Sequence, residues 1–239
     1  MFMVNHLSGF GGSISLPFSG LTQKGYGYIE AGNTSDLTLS YANVSAGSAP
    51  NSGDLVVWMV LGLDNSAQPV ADLSGSGWTQ SRVFADGLAG TSMLGKVVTS
   101  GDISSPATVV SAPTAGSAGM WGAYSFNGSI DITVNSLQAQ YSAGSAPSSD
   151  TVDSSALTSV QYAITMSLGT GTDDVISLSW SGATPDIQFQ RTNVLSTATT
   201  DIEWAVHLAQ GGESVTISKG DDANNNIIAS GYFAVSEAA

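Results

Sequence analysis

One apolar run constrains the fold of this chain more than any other feature. Seven consecutive apolar residues lie between Leu55 and Leu61, and Gly53 and Gly62 flank them. A run with valine and tryptophan members and no polar alternation is typical of a strand that is buried on both faces. It is much shorter than the ~18 residues that a membrane-spanning helix requires. The sequence therefore predicts a buried central strand in a β-sandwich.

The rest of the chain predicts short strands separated by turn residues. Leu37, Leu39 and Tyr41 alternate with polar or small residues, which is the period of a half-buried strand. No stretch shows an amphipathic helical period over three turns. The fold class is therefore all-β, a sandwich or a jelly roll. Further strands are expected at 78–84, 92–98, 107–111, 119–126, 160–168, 174–180, 186–191, 201–209, 213–219 and 227–235.

The second half of the chain resembles the first, which predicts two degenerate halves. The spacing between corresponding segments drifts from about 97 to about 109 residues. A chance match is the alternative for the shortest segment, because the chain is rich in serine and alanine. The corresponding segments are Ser45–Pro50 with Tyr141–Pro147, Leu55–Leu61 with Val160–Leu168, and Met120–Phe126 with Ile227–Val235.

The N-terminal region predicts an extended arm. Residues 1–20 are apolar and rich in glycine and have no helical period. We expect residues 1–36 to form this arm and a first edge strand, and residues 37–239 to form the β-sandwich domain. The arm either lies across a neighbouring subunit or adds an edge strand to its own domain. The candidate inter-subunit contacts are Phe2, Phe10, Leu16 and Phe18.

The charge of the chain disfavours two classes of partner. Five Lys and Arg residues face 19 Asp and Glu residues, which gives a formal net charge of −14. Such a surface repels nucleic acid and anionic lipid, so neither nucleic acid nor a membrane is expected as a partner. The chain has no cysteine, so disulfides and thiolate metal sites are excluded. The N-terminus lacks the pattern of a signal peptide, which fits a protein released by lysis or a cytoplasmic protein.

The two histidines, His6 and His207, limit acid–base chemistry. Glu203 and His207 share one face of a predicted strand, but four residues separate them by ~13 Å, too far for a hydrogen-bonded pair. No Gly-x-Ser-x-Gly elbow lies between a predicted strand and a helix. We expect His207 to be a surface or interface residue, and we expect no catalytic residue and no enzymatic activity.

Two pairs of adjacent acids do not change that expectation. Neighbouring residues on a strand point to opposite faces, so Asp173–Asp174 and Asp221–Asp222 are not arranged as glycosidase carboxylates are. Residues Gly220–Asn226 offer oxygen ligands, but they lack the spacing of a calcium-binding EF-hand loop. A tight hairpin loop is the preferred interpretation there. No metal and no cofactor are expected.

The five tryptophans are candidates for a sugar-stacking surface, although most lie within apolar strands and are expected to pack in the core. Trp78 is the exception. Gly77 and Thr79 flank it at the end of a loop, so we expect it to be the most exposed tryptophan and a candidate contact for a glycan or a partner protein.

Four motifs together resemble a recurrent module of tailed-phage virion proteins. The resemblance covers roughly residues 37–236. In that module the aromatic strand reads Trp-x-Gly followed by four residues and Tyr, whereas here it reads Met120–Phe126. The motifs are Ser52-Gly53-Asp54-Leu55-Val56-Val57, Gly77-Trp78-Thr79, Gly95-Lys96-Val97-Val98-Thr99-Ser100-Gly101-Asp102 and Trp121-Gly122-Ala123-Tyr124.

The resemblance implies a jelly-roll-like β-sandwich. It also implies a structural protein of the virion, either a capsid decoration (cement) protein or a tail component, with no shared catalytic residue. It would assemble in the host cytoplasm, be released by lysis, and contact other copies of itself and other virion proteins, which makes a homo-oligomer the expected state. A glycan-binding module for receptor adsorption is the alternative, and a glycan hydrolase on the same scaffold is the third possibility. A solvent-facing aromatic beside Asn or Asp favours the second, and converging carboxylates favour the third.

Overall fold

The computed structural model describes residues 20–32, 35–63, 70–85, 89–111, 113, 116–142, 149–172, 177–195, 200–220 and 226–239. Besides strands, these residues include a 3₁₀ turn at Ser74–Ser76 and a short helix, α1 (Ser100–Ser104). In chain order the strands are β1 (Thr22–Ala31), β2 (Leu37–Thr38), β3 (Val44–Gly47), β4 (Leu55–Leu63), β5 (Thr79–Ala85), β6 (Ala89–Val97), β7 (Thr108–Val110), β8 (Ser117–Ser125), β9 (Ile130–Ser142), β10 (Ser149–Asp153), β11 (Tyr162–Thr172), β12 (Ser177–Ser181), β13 (Ile187–Leu195), β14 (Thr200–Gln210), β15 (Ser214–Gly220) and β16 (Asn226–Glu237).

These strands form four antiparallel sheets, and each sheet takes its strands from one half of the chain. The N-terminal large sheet has the order β3-β1-β8-β4-β6-β5, and the small N-terminal cover pairs β2 with β7. The C-terminal large sheet has the order β13-β14-β11-β16-β9, and the C-terminal cover has the order β10-β15-β12. The two large sheets face each other, and each carries its cover on the outer face.

The same strand order occurs in both halves. The series β1-β8-β4-β6-β5 corresponds to β9-β16-β11-β14-β13, and the β2–β7 pair corresponds to β10–β15. Val70 bridges to Val110 of β7 in the position where β12 pairs with β15. The Ser45–Pro50 string is not part of this repeat, because it follows β2 whereas its match precedes β10.

The central strand β4 is the buried strand that the apolar run predicts. Residues 55–61 are 0% exposed. Leu55, Val57 and Met59 point into the central core between the large sheets. Val56 and Trp58 point into the N-terminal outer core beneath the cover. Both faces are therefore buried, which is why the sequence shows no polar alternation.

The all-β sandwich prediction is confirmed, and its details differ in two places. Leu37, Leu39 and Tyr41 are buried and alternate with more exposed neighbours as predicted, but only Leu37–Thr38 pairs as a strand. The first strand, β1, lies one position inside the sheet edge, which is formed by β3. The jelly-roll topology stays a prediction, and the arm at residues 1–19 lies outside the described residues.

Candidate functional site

Two of the sequence motifs, Gly77-Trp78-Thr79 and Gly95–Asp102, meet at one end of the N-terminal large sheet. The Lys96 ammonium forms an ion pair with Asp102 at 2.7 Å and donates to the Ser76 carbonyl at 2.9 Å. It also lies 5.6 Å from the centre of the Trp78 ring. Lys96 therefore links Gly77-Trp78-Thr79 to Ser100-Gly101-Asp102, and this link stabilises the fold.

Asp102 is fixed by the start of α1 as well as by Lys96. Its carboxylate accepts hydrogen bonds from the Thr99 backbone and hydroxyl, both at 2.8 Å, and the Thr99 hydroxyl accepts from the Asp102 backbone in return. Partial burial disfavours the charged form, but the hydrogen bonds from Lys96 and Thr99 outweigh it and lower the pKa of Asp102.

Asp54, just before β4, has a similar role. Its carboxylate accepts from the Asn51 backbone at 2.6 Å and pairs with the Lys24 ammonium at 2.6 Å. Lys24 belongs to β1, so this pair joins the turn before the central strand to the strand two positions away. Asp54 of Gly53-Asp54 therefore helps to position β1 relative to β4.

The structure corrects the expectation for Trp78. This side chain is only 4% exposed and packs in the N-terminal outer core. Of the five tryptophans, only Trp180 is not buried. The Gly77 and Thr79 flanks suggested a loop tip, but the neighbouring Lys96 and the cover enclose the ring. Trp78 thus offers little surface to a glycan or a partner.

The most polar interior of the described chain lies between the C-terminal large sheet and its cover. The N-terminal outer core is mainly aliphatic and aromatic, although the buried Ser92 hydroxyl accepts a hydrogen bond from the Gln80 amide there. In this layer the Ser230 hydroxyl donates a hydrogen bond to the Asp150 carboxylate. The buried polar residues of the layer are Asp150, Thr165, Ser167, Glu203, Lys219 and Ser230.

Glu203 is the carboxylate in this layer whose environment is most perturbed. It is 5% exposed and accepts from the Leu178 backbone at 2.7 Å and from the Gln188 amide at 2.5 Å. Burial raises the pKa of Glu203, and these two hydrogen bonds oppose the increase without cancelling it. The carboxylate joins the cover strand β12 to β13 and β14, which gives it a structural role.

His207 lies at the rim of the same layer, between two acids. Its Nδ1 is 3.1 Å from Asp186 Oδ2, and its Nε2 is 3.5 Å from Glu213 Oε2. The edge of its ring faces Trp180, with ring centres 6.5 Å apart. The acids approach opposite sides of the imidazole, so they bracket it and do not converge on a common ligand position.

This placement agrees with the sequence expectation for His207 in part. Glu203 and His207 do share a face of β14, and no contact joins them in the structure. His207 was expected to be a surface or interface residue, and its side chain is 18% exposed. Sequence reasoning missed Asp186 and Glu213 because β13 and β15 bring them to His207 only after the sheets have formed.

The described residues contain no group of three or more His, Asp or Glu side chains arranged to hold a metal ion. The acid pairs Asp173–Asp174 and Asp221–Asp222 lie outside those residues, as do Phe2, Phe10, Leu16 and Phe18. No described helix is long and apolar enough to cross a membrane.

An open groove of about 530 Å³ lies at the end of β11. Gly20, Gln161, Tyr162 and Glu237 contribute to its walls, and Val160 at its margin is 72% exposed. The titratable side chains of its lining are Tyr162 and Glu237.

The edge of the N-terminal large sheet at β3 is the clearest contact surface. We call Val44–Gly47 the open edge. It is the last strand of the sheet, all four residues are exposed, and the Val44 side chain is a large apolar group at 40% exposure. At the opposite side the two large sheets meet, and the Thr79 hydroxyl donates to the Ile132 carbonyl at 3.4 Å.

The comparisons with known proteins add no relative to this description. No family model, no curated protein and no solved structure matches the chain.

Proposed function

We propose that this protein is a structural component of a tailed-phage virion, a capsid decoration or tail protein that acts through contacts between subunits and has no enzymatic activity. In this proposal its partners are other copies of itself and other virion proteins.

The open edge is the observation that carries the proposal. Both large sheets have their faces covered, so contacts through the backbone of the N-terminal large sheet are available at its end strand. The strand carries no charge, and all four of its residues are exposed, Val44 at 40%. An exposed, uncharged edge strand offers backbone groups to another chain, although β3 is only four residues long.

The virion motifs support the proposal in a second way. Lys96, Asp102 and Asp54, which belong to the motifs of the resemblance, form ion pairs within the fold, and this agrees with a structural role. The net charge of −14 also disfavours nucleic acid as the partner.

The two competing functions have weaker support. Trp180 is the tryptophan that is not buried, but its Nε1 is enclosed and its ring packs against the His207 ring, with the ring centres 6.5 Å apart. The acids beside His207 approach it from opposite sides, which is unlike the facing carboxylates of a glycan hydrolase.

Mass spectrometry and immunolabelling of purified phage particles test the proposal. We expect the protein in mature particles at a fixed copy number, with the label at one location on the head or tail. Its absence from mature particles would refute the proposal, and glycan release by the purified protein would support the hydrolase instead.

A further inference from the structure

The turn between β8 and β9 connects the two halves of the chain, and Asn127 and Gly128 form its bend. Strand β8 belongs to the N-terminal large sheet, and β9 belongs to the C-terminal large sheet. Phe126 before the bend and Ile130 after it pack against the central core. Asn127 and Gly128 are exposed. The bend is therefore accessible to solvent, and the residues on both sides hold it in place.

The backbone of this turn requires glycine at position 128. Gly128 has a φ of 87°, in the left-handed region that residues with a side chain rarely adopt. The fold therefore places after Asn127 the one residue that has no Cβ beside its backbone nitrogen. Asn127-Gly128 is the only Asn-Gly pair in the chain, and every other asparagine precedes a residue with a side chain.

An asparagine that is followed by glycine reacts with its own backbone. The Gly128 nitrogen loses its proton to base in the solvent and attacks Cγ of Asn127. A bond forms between these two atoms, the bond from Cγ to Nδ2 breaks, and the side-chain nitrogen takes up a proton and leaves as ammonia. Water then opens the five-membered ring at either carbonyl, which produces aspartate or isoaspartate. Proximity favours the attack, and the absence of a Cβ leaves the nitrogen accessible.

We propose that Asn127 is a site of self-modification, at which attack by the Gly128 nitrogen converts the asparagine to aspartate or isoaspartate. The reaction needs only water and base, so the site requires no modifying enzyme. This inference goes beyond the proposed function and does not depend on it.

The modification changes the charge and the backbone where β9 begins. It adds a carboxylate to a part of the fold that already holds two acids, since Asp131 follows the turn and Glu237 pairs with Ile130. Isoaspartate also lengthens the backbone next to Ser129, whose carbonyl accepts a hydrogen bond from the Ala238 N–H at 3.0 Å. Both changes act against the pairing of β9 with β16, so we expect this end of the strand pair to open more often in modified chains.

Ageing of the full chain at mildly alkaline pH tests the proposal. Chymotrypsin cleaves after Phe126, so mass spectrometry of the digest follows the peptide that begins at Asn127. Asn51 is the internal control, because it is also exposed but precedes Ser52. We expect the Asn127 peptide to gain the mass difference between an amide and an acid and to separate into two products, at least about tenfold faster than the Asn51 peptide.

Asn127→Gln is the matched variant for this experiment. Its longer side chain would have to close a six-membered ring, so the fast reaction should disappear. Near-UV circular dichroism checks that the variant is folded. After ageing, hydrogen exchange at the start of β9 should be faster in the wild type than in Asn127→Gln.

Two results would overturn the modification site, and a third would overturn its effect on the fold. Equal rates at Asn127 and Asn51 in the folded chain would show that the turn holds the reacting atoms apart, above all if unfolding in urea accelerates the reaction at Asn127. A fast reaction that persists in Asn127→Gln would place the modification at another residue. Equal hydrogen exchange at β9 in fresh and fully modified chains would refute the weakened strand pairing.

Discussion

At the scale of single residues, charge serves the fold, and Asp102 shows this best. Its pair with Lys96 is largely shielded from solvent, since both side chains are 17% exposed. We expect Asp102→Asn to lower the free energy of unfolding by about 1–2 kcal/mol, because it weakens a charge-assisted hydrogen bond. Urea denaturation measures this loss.

Asp72→Asn is the matched control for that substitution. Asp72 also caps a turn and pairs with a cation, Arg82, but the two side chains are 54% and 29% exposed. A much smaller loss than at Asp102 is expected there, since exposed pairs contribute little. Equal losses of stability at Asp72 and Asp102 would show that the pair of Asp102 with Lys96 contributes no more than an exposed ion pair.

The pH dependence of the Asp102 effect has a defined sign. The pKa of Asp102 is lower in the folded protein than its ordinary value. The stability that it contributes is therefore present above the ordinary carboxyl pKa and is lost as pH falls through the folded pKa. The wild type and Asp102→Asn should converge in acid and differ at neutral pH.

Glu203 predicts the opposite sign. Burial raises its pKa in the folded state, so its favourable contribution is present below the ordinary carboxyl pKa and is lost as pH rises through the folded pKa. We expect Glu203→Gln to be less stable than the wild type in mild acid. The difference in stability between the two proteins should become smaller at alkaline pH. Thermal unfolding at a series of pH values measures the difference, and a gap that is independent of pH contradicts the prediction.

At the scale of strands, the sequence predicts β4 well and β1 poorly for physical reasons. Every side chain of Leu55–Leu61 is buried, so the apolar run by itself is enough to predict a strand with two buried faces. In β1, a side chain at Gly27 would collide with the Asn43 carbonyl and with the Trp121 ring. The strand needs glycine there for close packing, and glycine weakens the sequence pattern of a strand.

The neighbours of Trp78 and His207 were beyond sequence reasoning for a related reason. A Gly-Trp-Thr string does not reveal that Lys96, from a strand two elements later in the chain, will lie over the ring. Likewise, Asp186 reaches His207 only through the pairing of β13 with β14. The burial of one strand can be predicted from its own sequence, whereas the contacts between strands depend on the register in which the strands pair.

The crossing of β6 and β16 gives a prediction at the same scale. A side chain at Gly231 would approach the Met93 sulfur at 2.7 Å and the Leu137 Cα at 3.0 Å, and the Leu137 backbone has little freedom to move. We expect Gly231→Ala to lower the free energy of unfolding by about 1–3 kcal/mol through overpacking.

Gly75→Ala provides the control for Gly231→Ala. No atom lies within 4 Å of a side chain placed at Gly75, so its unfolding free energy should change by less than about 0.5 kcal/mol. Chemical denaturation measures the free energy of unfolding of both variants. An unchanged value for Gly231→Ala would contradict the prediction, because it would mean that β6 and β9 accommodate the added methyl group without loss of stability.

At the scale of the whole molecule, the two halves are similar in topology but share one core. Each half has its own outer core, while the central core takes side chains from both large sheets. Phe233 of the second half packs against Gly95 of the first, where a side chain at Gly95 would approach the Phe233 ring at 2.9 Å. Neither half can bury its large apolar face without the other.

This shared core predicts that the chain unfolds as one unit. Calorimetry should show a single transition whose measured enthalpy equals the van't Hoff enthalpy, as expected for a two-state protein. Phe233→Ala removes a fully buried ring and should cost about 3–5 kcal/mol. Because the ring lies between the halves, hydrogen exchange should accelerate in β4 as well as in β11. If only the second half lost protection, or if calorimetry resolved two transitions, the halves would be independent domains that happen to be in contact.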